Sequence, residues 1–213
     1  MTTRFTETLR DAARQDWEAT ISHRFVGDLI AGTIQPDVMS RYLVQDHRFL
    51  DSFLMLLGAA QASADNFEAR LRFARFGGMI AGDENTYFER SFEALGVSKA
   101  EREDAPDTAP TAGFKAIMRE AAGTRSYAAA LCVLCVAEWS YLEWALKADG
   151  RYPESFVHAE WITLHDNDAF QDFVAFLRSE LDRVGPAEEG AARDFFTRAV
   201  KLERAFFDAA YEA

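Results

Sequence analysis

The chain is poor in cysteine and proline, short of basic residues, and without a long apolar run. Its two cysteines, Cys132 and Cys135, lie three positions apart in 213 residues, so no disulfide framework can hold the fold. Lys and Arg number 23 against 35 Asp and Glu, a formal charge of −12. No basic cluster offsets that balance. This argues against nucleic acid or an anionic membrane as the main partner, since a phosphate surface requires a cationic face. The longest unbroken apolar run, Tyr127 to Ala137, is too short to span a bilayer. The opening MTTRFTETLRDAARQDW has no apolar signal core. The expected location is a reducing cytoplasm. Period-2 alternation bounded by turn residues is also missing, which argues against strands.

What is present is helix after helix. The composition is 49% apolar and 27% charged, ordinary for a folded chain, and the length suits one domain over residues 1–213. Helical periodicity predicts helices near 4–20, 24–31, 36–63, 66–95, 112–121, 125–148, 159–183 and 188–211. Pro36 suits a first-turn position, where its missing N–H costs nothing. Ser98 and Glu101 have capping-box spacing, and the polar stretch from Glu101 to Thr111 reads as a surface loop. Gly150, Pro153, Gly185 and Pro186 punctuate the later connections. The expected fold is all-α, a single compact helical bundle with most of the 18 Phe in its core.

The informative feature is a charge on an apolar stripe. Asp46 falls among Tyr42, Phe49 and Phe53; Glu138 among Leu134, Cys135 and Tyr141; Glu203 among Phe196, Val200, Phe206 and Phe207. Glu84, between Ile80 and Phe88, is a weaker fourth. A lone buried carboxylate costs several kcal/mol, so it finds a partner or stays protonated. Three such acids on inward faces suggest one shared polar pocket, although a single one is more often a structural partner. Glu143 reads as a surface pair with Lys147, four residues on. His165 reads as a satisfied hydrogen-bonder more readily than a ligand. His47 points about 100° away from Asp46 on its helix, and His23 and His158 read as loop or cap residues. No Glu-x-x-His occurs and no spaced Cys/His set exists, which argues against di-iron and zinc sites. No metal or cofactor is expected.

Five segments carry a resemblance. Trp17 to Thr33 (WEATISHRFV, then GT), RYLVQDHRFLDSF around Asp46, EWSYLEWA from Glu138, EWITLH ahead of Phe170 and KLERAFFDAAYE around Glu203 resemble, in order, the thiaminase II (TenA) family. The resemblance implies a haem-oxygenase-like bundle without haem, acting on aminopyrimidines from thiamin breakdown. It implies that Asp46 holds the pyrimidine, that Phe49 and Tyr141 line the pocket, and that Glu203 is the general acid/base. In the family's cysteine-type members the nucleophile sits four residues before the tyrosine matching Tyr141; here that residue is Ala137, and Cys135 is about 200° around the helix from it. The motif AEWSYLEWA, and His165 where many members carry tyrosine, resemble the branch without the cysteine. Phe114 stands near another family tyrosine. The cysteines therefore read as core thiols, and Glu138 as the better candidate for chemistry.

The expected reaction is hydrolysis of the exocyclic C–N bond of 4-amino-5-aminomethyl-2-methylpyrimidine or its formyl derivative. Asp46, Glu138 and Glu203 are the expected catalytic residues, and Phe49, Tyr141, His165, Phe206 and Glu84 the expected binding residues with Asp46. The family also implies a homo-oligomer, a tetramer, with Trp144 available for its contacts. Two other readings stay open: a non-catalytic pyrimidine-binding or regulatory protein, and a metal-dependent oxidase on the same fold.

Overall fold

Most helices bury an apolar face, and the computed structural model, which describes residues 3–212, arranges those faces around one almost wholly buried helix. The elements in order are α1 (Phe5–Ala12), α2 (Arg14–Ile21), α3 (Arg24–Ala31), α4 (Pro36–Ser63), α5 (Phe67–Met79), a π-turn (Ile80–Glu84), α6 (Asn85–Leu95), α7 (Lys99–Asp104), α8 (Ala109–Thr124), α9 (Tyr127–Ala145), α10 (Phe156–Asp166), α11 (Asp168–Val184) and α12 (Glu189–Ala209). No strand occurs among the described residues. The architecture is the all-α bundle that the periodicity predicts.

The central element is α9. It is apolar on all sides, and a helix of that kind belongs inside a protein or a membrane. With the turn after it, to Ala148, it is long and apolar enough to cross a bilayer, but 83% of its most apolar stretch is covered by the bundle. Helices α4, α8, α10, α11 and α12 pack around it. Gly113 lets α8 and α12 approach closely: a Cβ there would stand 2.6 Å from Leu202 Cδ2.

Several expected boundaries differ, each for a local reason. The segment 4–20 breaks at Ala13, whose backbone leaves helical geometry with φ −106° and ψ 15°. The segment 66–95 stays helical but widens into the π-turn at Ile80–Glu84. The segment 159–183 breaks at Asn167, which is extended and caps α11: its Oδ1 accepts from the Phe170 N–H at 3.0 Å while its Nδ2 donates to the Thr163 and Leu164 carbonyls. Asn is well suited to compete with backbone in this way. The expected loop 101–111 begins as helix α7, opened by the full Ser98–Glu101 capping box. The rest is held to α4 by Arg48, which donates to Asp107 at 2.8 Å and to the Arg102 carbonyl at 2.9 Å.

Three side-chain expectations are corrected. Glu143 is not a surface partner of Lys147. It accepts from Trp17 Nε1 at 2.8 Å and pairs with Arg10 at 2.9 Å, tying the N-terminal helices to α9. Lys147 instead donates to the Ile21 carbonyl, whose helix end presents unpaired acceptors. Trp144 is fully buried beside Tyr141 and His165, so it offers nothing to an oligomer contact. His158 lies in the first turn of α10 and is buried, while His23 does cap α3, its Nδ1 accepting from the Phe25 N–H at 3.1 Å.

Candidate active site

The three stripe carboxylates meet. Asp46 and Phe49 from α4, Glu138 and Tyr141 from α9, Trp161 and His165 from α10, Glu203 from α12 and Glu84 from the π-turn line one internal cavity, with Leu50, Phe53 and Ala137 completing the wall. The cavity measures about 30 Å³. On α4 and α12 periodicity places Asp46 and Glu203, because the apolar stripe faces inward, while Glu138 lies inside because α9 is buried on nearly every side.

Four carboxyl groups share this space and no Lys or Arg lines it. Asp46, Glu138 and Glu203 are all pushed well above the usual carboxylate range, first by burial and then by one another. Glu84 adds to the repulsion on Asp46 and Glu138, and burial lifts its own pKa to about 7. Burial and mutual repulsion thus favour the protonated forms of these acids, because like charges in a low-dielectric space cannot all ionise. A cation entering the cavity reverses that preference.

Asp46 alone has counteracting donors. Tyr141 Oη donates to its Oδ1 at 3.5 Å, and Tyr42 also favours its ionised form. Tyr42 and Tyr141 are 2.7 Å apart at their hydroxyls, and Trp161 Nε1 donates to Tyr42 at 3.2 Å. Of the three stripe acids, Asp46 is therefore the one whose ionised form is favoured by hydrogen-bond donors.

His165 is enclosed by Tyr141, Trp144, Trp161 and Phe170, with ring centroids 4.6 to 5.8 Å away. Burial depresses its pKa to about 4, so it is neutral. Its Nδ1 lies 2.7 Å from the Trp161 carbonyl, which only accepts, so Nδ1 carries the proton and Nε2 keeps a free lone pair. The histidine is thus both a satisfied hydrogen-bonder and an acceptor facing the cavity.

Phe206 is not in the cavity wall. It stands behind it, edge-on to Tyr42, Phe49 and Phe114. Phe114 likewise backs Phe49, stacked at 6.0 Å. His47 faces Phe88 and Phe92 on α6, away from Asp46. Cys132 and Cys135 are fully buried outside the cavity, and burial pushes both thiols up, so neither is an activated nucleophile. Ala137 alone of that helix turn touches the cavity beside Glu138 and Tyr141. Among the described residues no three His, Cys, Asp or Glu converge in a metal-holding set. Sequence reading missed Trp161 and the part played by Tyr42. Trp161 sits in the quoted EWITLH segment, but its bond to Tyr42 crosses between helices 119 positions apart.

Comparison with known proteins identifies the family and the fold. A family model described as the TENA/THI-4/PQQC family matches residues 10–213. An aminopyrimidine aminohydrolase of Halalkalibacterium halodurans is 24% identical over 97% of this chain and 95% of its own. One from Bacillus subtilis is 26% identical over 85% of this chain and 77% of its own. The solved TenA homologue from P. horikoshii OT3 superposes with a TM-score of 0.87 at 21% identity, covering 98% of this chain and 99% of that one, which establishes the shared fold.

Proposed function

This chain belongs to the TENA/THI-4/PQQC family, and on that premise we propose that it hydrolyses the exocyclic C–N bond of 4-amino-5-aminomethyl-2-methylpyrimidine, or its formyl derivative, in thiamin salvage. The observation that carries the reading is the lining: four carboxyls and a neutral histidine with no fixed cation. A ligand that brings positive charge and several N–H donors is what such a wall lacks. An aminopyrimidine with a protonated ring nitrogen and an ammonium side arm supplies both. The relatives named aminopyrimidine aminohydrolase support the substrate class.

Roles follow from environment. Asp46, favoured as the anion by Tyr141 and Tyr42, accepts the exocyclic N–H and the proton on the adjacent ring nitrogen in a bidentate, charge-assisted pair. Phe49 faces the ring. Glu203, held protonated, is the general acid that keeps the leaving nitrogen protonated. Glu138 takes a proton from water as its oxygen bonds to the methylene carbon; the C–N bond breaks and ammonia leaves with its electron pair. Two acids in different surroundings divide acid and base work in this way. His165 Nε2 accepts from water or substrate. Glu84 completes the binding residues. No cofactor takes part.

The same reading includes a cytoplasmic location and a homo-oligomer. Leu54 and Met55 on α4 and Leu146 are exposed apolar side chains that an assembly would cover; light scattering of the purified protein decides its size.

The test is ammonia release from the aminomethyl compound. Release is expected from the wild type, with a drop of about 10²- to 10⁴-fold in Glu203→Gln, the range typical of a lost general acid. Full turnover by folded Glu203→Gln overturns the role. No release from either pyrimidine, with tight binding of both, leaves a binding protein instead.

A further inference from the structure

The reaction cavity does not stand alone. A second cavity of about 230 Å³ adjoins it, lined by Phe76, Met79, Ile80, Asp83, Leu164 and Phe170, and Glu84 and His165 belong to the walls of both. These two side chains therefore form the threshold between an inner space and an outer one. The inner space, about 30 Å³, holds about two waters by the usual requirement of roughly 10–15 Å³ each. A substituted pyrimidine ring needs more, so part of its wall must yield.

The wall that differs in kind is the π-turn Ile80–Glu84. A π-turn closes i→i+5 hydrogen bonds, is less regular than α-helix, and recurs at functional sites. Gly78 and Gly82 are exposed on this segment, with nothing within 4 Å of an added Cβ. Glu84 ends it. Among the described residues nothing donates to its carboxyl; burial raises its pKa, and its charge in turn disfavours ionisation of Asp46 and Glu138. Asp83 shares the outer wall, and His165 opposite is neutral. Phe76 and Phe170, with centroids 6.3 Å apart, add aromatic faces on the outer side. Acids and aromatic faces without a cation make a receiving surface for an ammonium group.

We propose that the substrate's 5-substituent lies at the Glu84–His165 threshold with the outer cavity beyond it, and that Glu84 selects a positively charged substituent over a neutral one. This inference rests on the aminopyrimidine reading. Asp46 holds the ring edge, Glu203 and Glu138 attend the scissile bond, and Glu84 reads the charge on the amine. An ammonium gives Glu84 a charge-assisted bond, roughly twice as strong as the neutral bond that a formamide or hydroxyl offers. The enzyme should therefore prefer the aminomethyl compound to neutral analogues by about tenfold or more through this residue.

The experiment compares Glu84→Gln with wild type on two ligands. One is the aminomethylpyrimidine, read as KM and kcat from ammonia release. The other is the neutral 5-hydroxymethyl product, read as Kd by calorimetry. Glu84→Gln is expected to raise KM for the aminomethyl compound about tenfold, to change kcat less than about threefold, and to leave the product Kd within about twofold. Glu84→Asp, which keeps the charge, is expected to recover part of the loss. Equal weakening of both ligands, or of neither, overturns the inference, as does a loss confined to kcat. Absence of wild-type turnover is a separate failure, of the hydrolase reading; the two Kd values can then be compared directly, and an unchanged ratio in Glu84→Gln also removes the charge selection.

Discussion

The indole nitrogen of Trp161 donates to the hydroxyl of Tyr42 at 3.2 Å, at the head of a hydrogen-bonded chain that ends on Asp46. An indole N–H only donates, so Tyr42 Oη accepts from it. Tyr141 has one hydroxyl hydrogen and gives it to Asp46. The hydrogen between the two tyrosines, 2.7 Å apart, is therefore supplied by Tyr42. The chain runs Trp161 to Tyr42 to Tyr141 to Asp46, every step pointing at the carboxylate.

Tyr42→Phe cuts that chain without touching the cavity wall. It leaves a buried indole N–H unpaired, which costs about 1–3 kcal/mol. The expected outcome is a stability loss of that size in urea unfolding, and a several-fold rise in KM for the aminopyrimidine with a smaller change in kcat. A fully stable variant with unchanged KM would show that Trp161 and Tyr42 do not orient Tyr141.

The thiols give a second prediction. Cys132 and Cys135 are sealed in the core with their pKa values pushed up, so turnover is expected to survive iodoacetamide. Cys135→Ala should keep activity within about twofold and lose about 1 kcal/mol of stability, the common cost of a core change. Ala137 lines the cavity, so Ala137→Cys is expected to become alkylated and inactivated, with mass spectrometry placing the label at that position. Inactivation of the wild type by the reagent would restore a native cysteine to the chemistry.

Much of this site was legible from periodicity. Asp46 and Glu203 lie on the apolar stripes of long helices, and burial of a stripe leaves no freedom about where its members point, while Glu138 lies on a helix buried on nearly every side. Their pocket followed from the cost of burying three separate charges. Glu143 shows the limit of that logic. Its spacing to Lys147 fits a surface pair, yet Trp17 and Arg10, more than 120 positions earlier in the chain, claim it. Trp161 and Tyr42 were missed for the same reason, since a bond across helices leaves no mark on either helix's own spacing. Phe206 shares a stripe with Glu203 but lies one layer back, because a wide apolar face covers more than the cavity. The π-turn has no sequence signature beyond Gly82, so the widening at Glu84 was invisible while its inward position was not.

Glu84 also gives a prediction about stability and pH. Its folded pKa is about 7 against a usual 4.5, so between those values the folded state holds the extra proton and stability falls as pH rises. His165 works the other way. Its folded pKa is about 4 against a usual 6.5, so the unfolded state binds more protons between them and stability rises with pH. The two oppose each other between about pH 4.5 and 6.5. Glu84→Gln removes one side of that balance and also relieves the repulsion on Asp46 and Glu138, which acts in the same direction. The difference in Tm, variant minus wild type, is therefore expected to climb from about pH 4.5 to about 7 and then level off. Calorimetric scans at half-unit steps from pH 4 to 8 measure it directly. A difference that stays flat across that range would mean the Glu84 carboxyl is already ionised in the folded protein, and that a positive partner other than substrate reaches it.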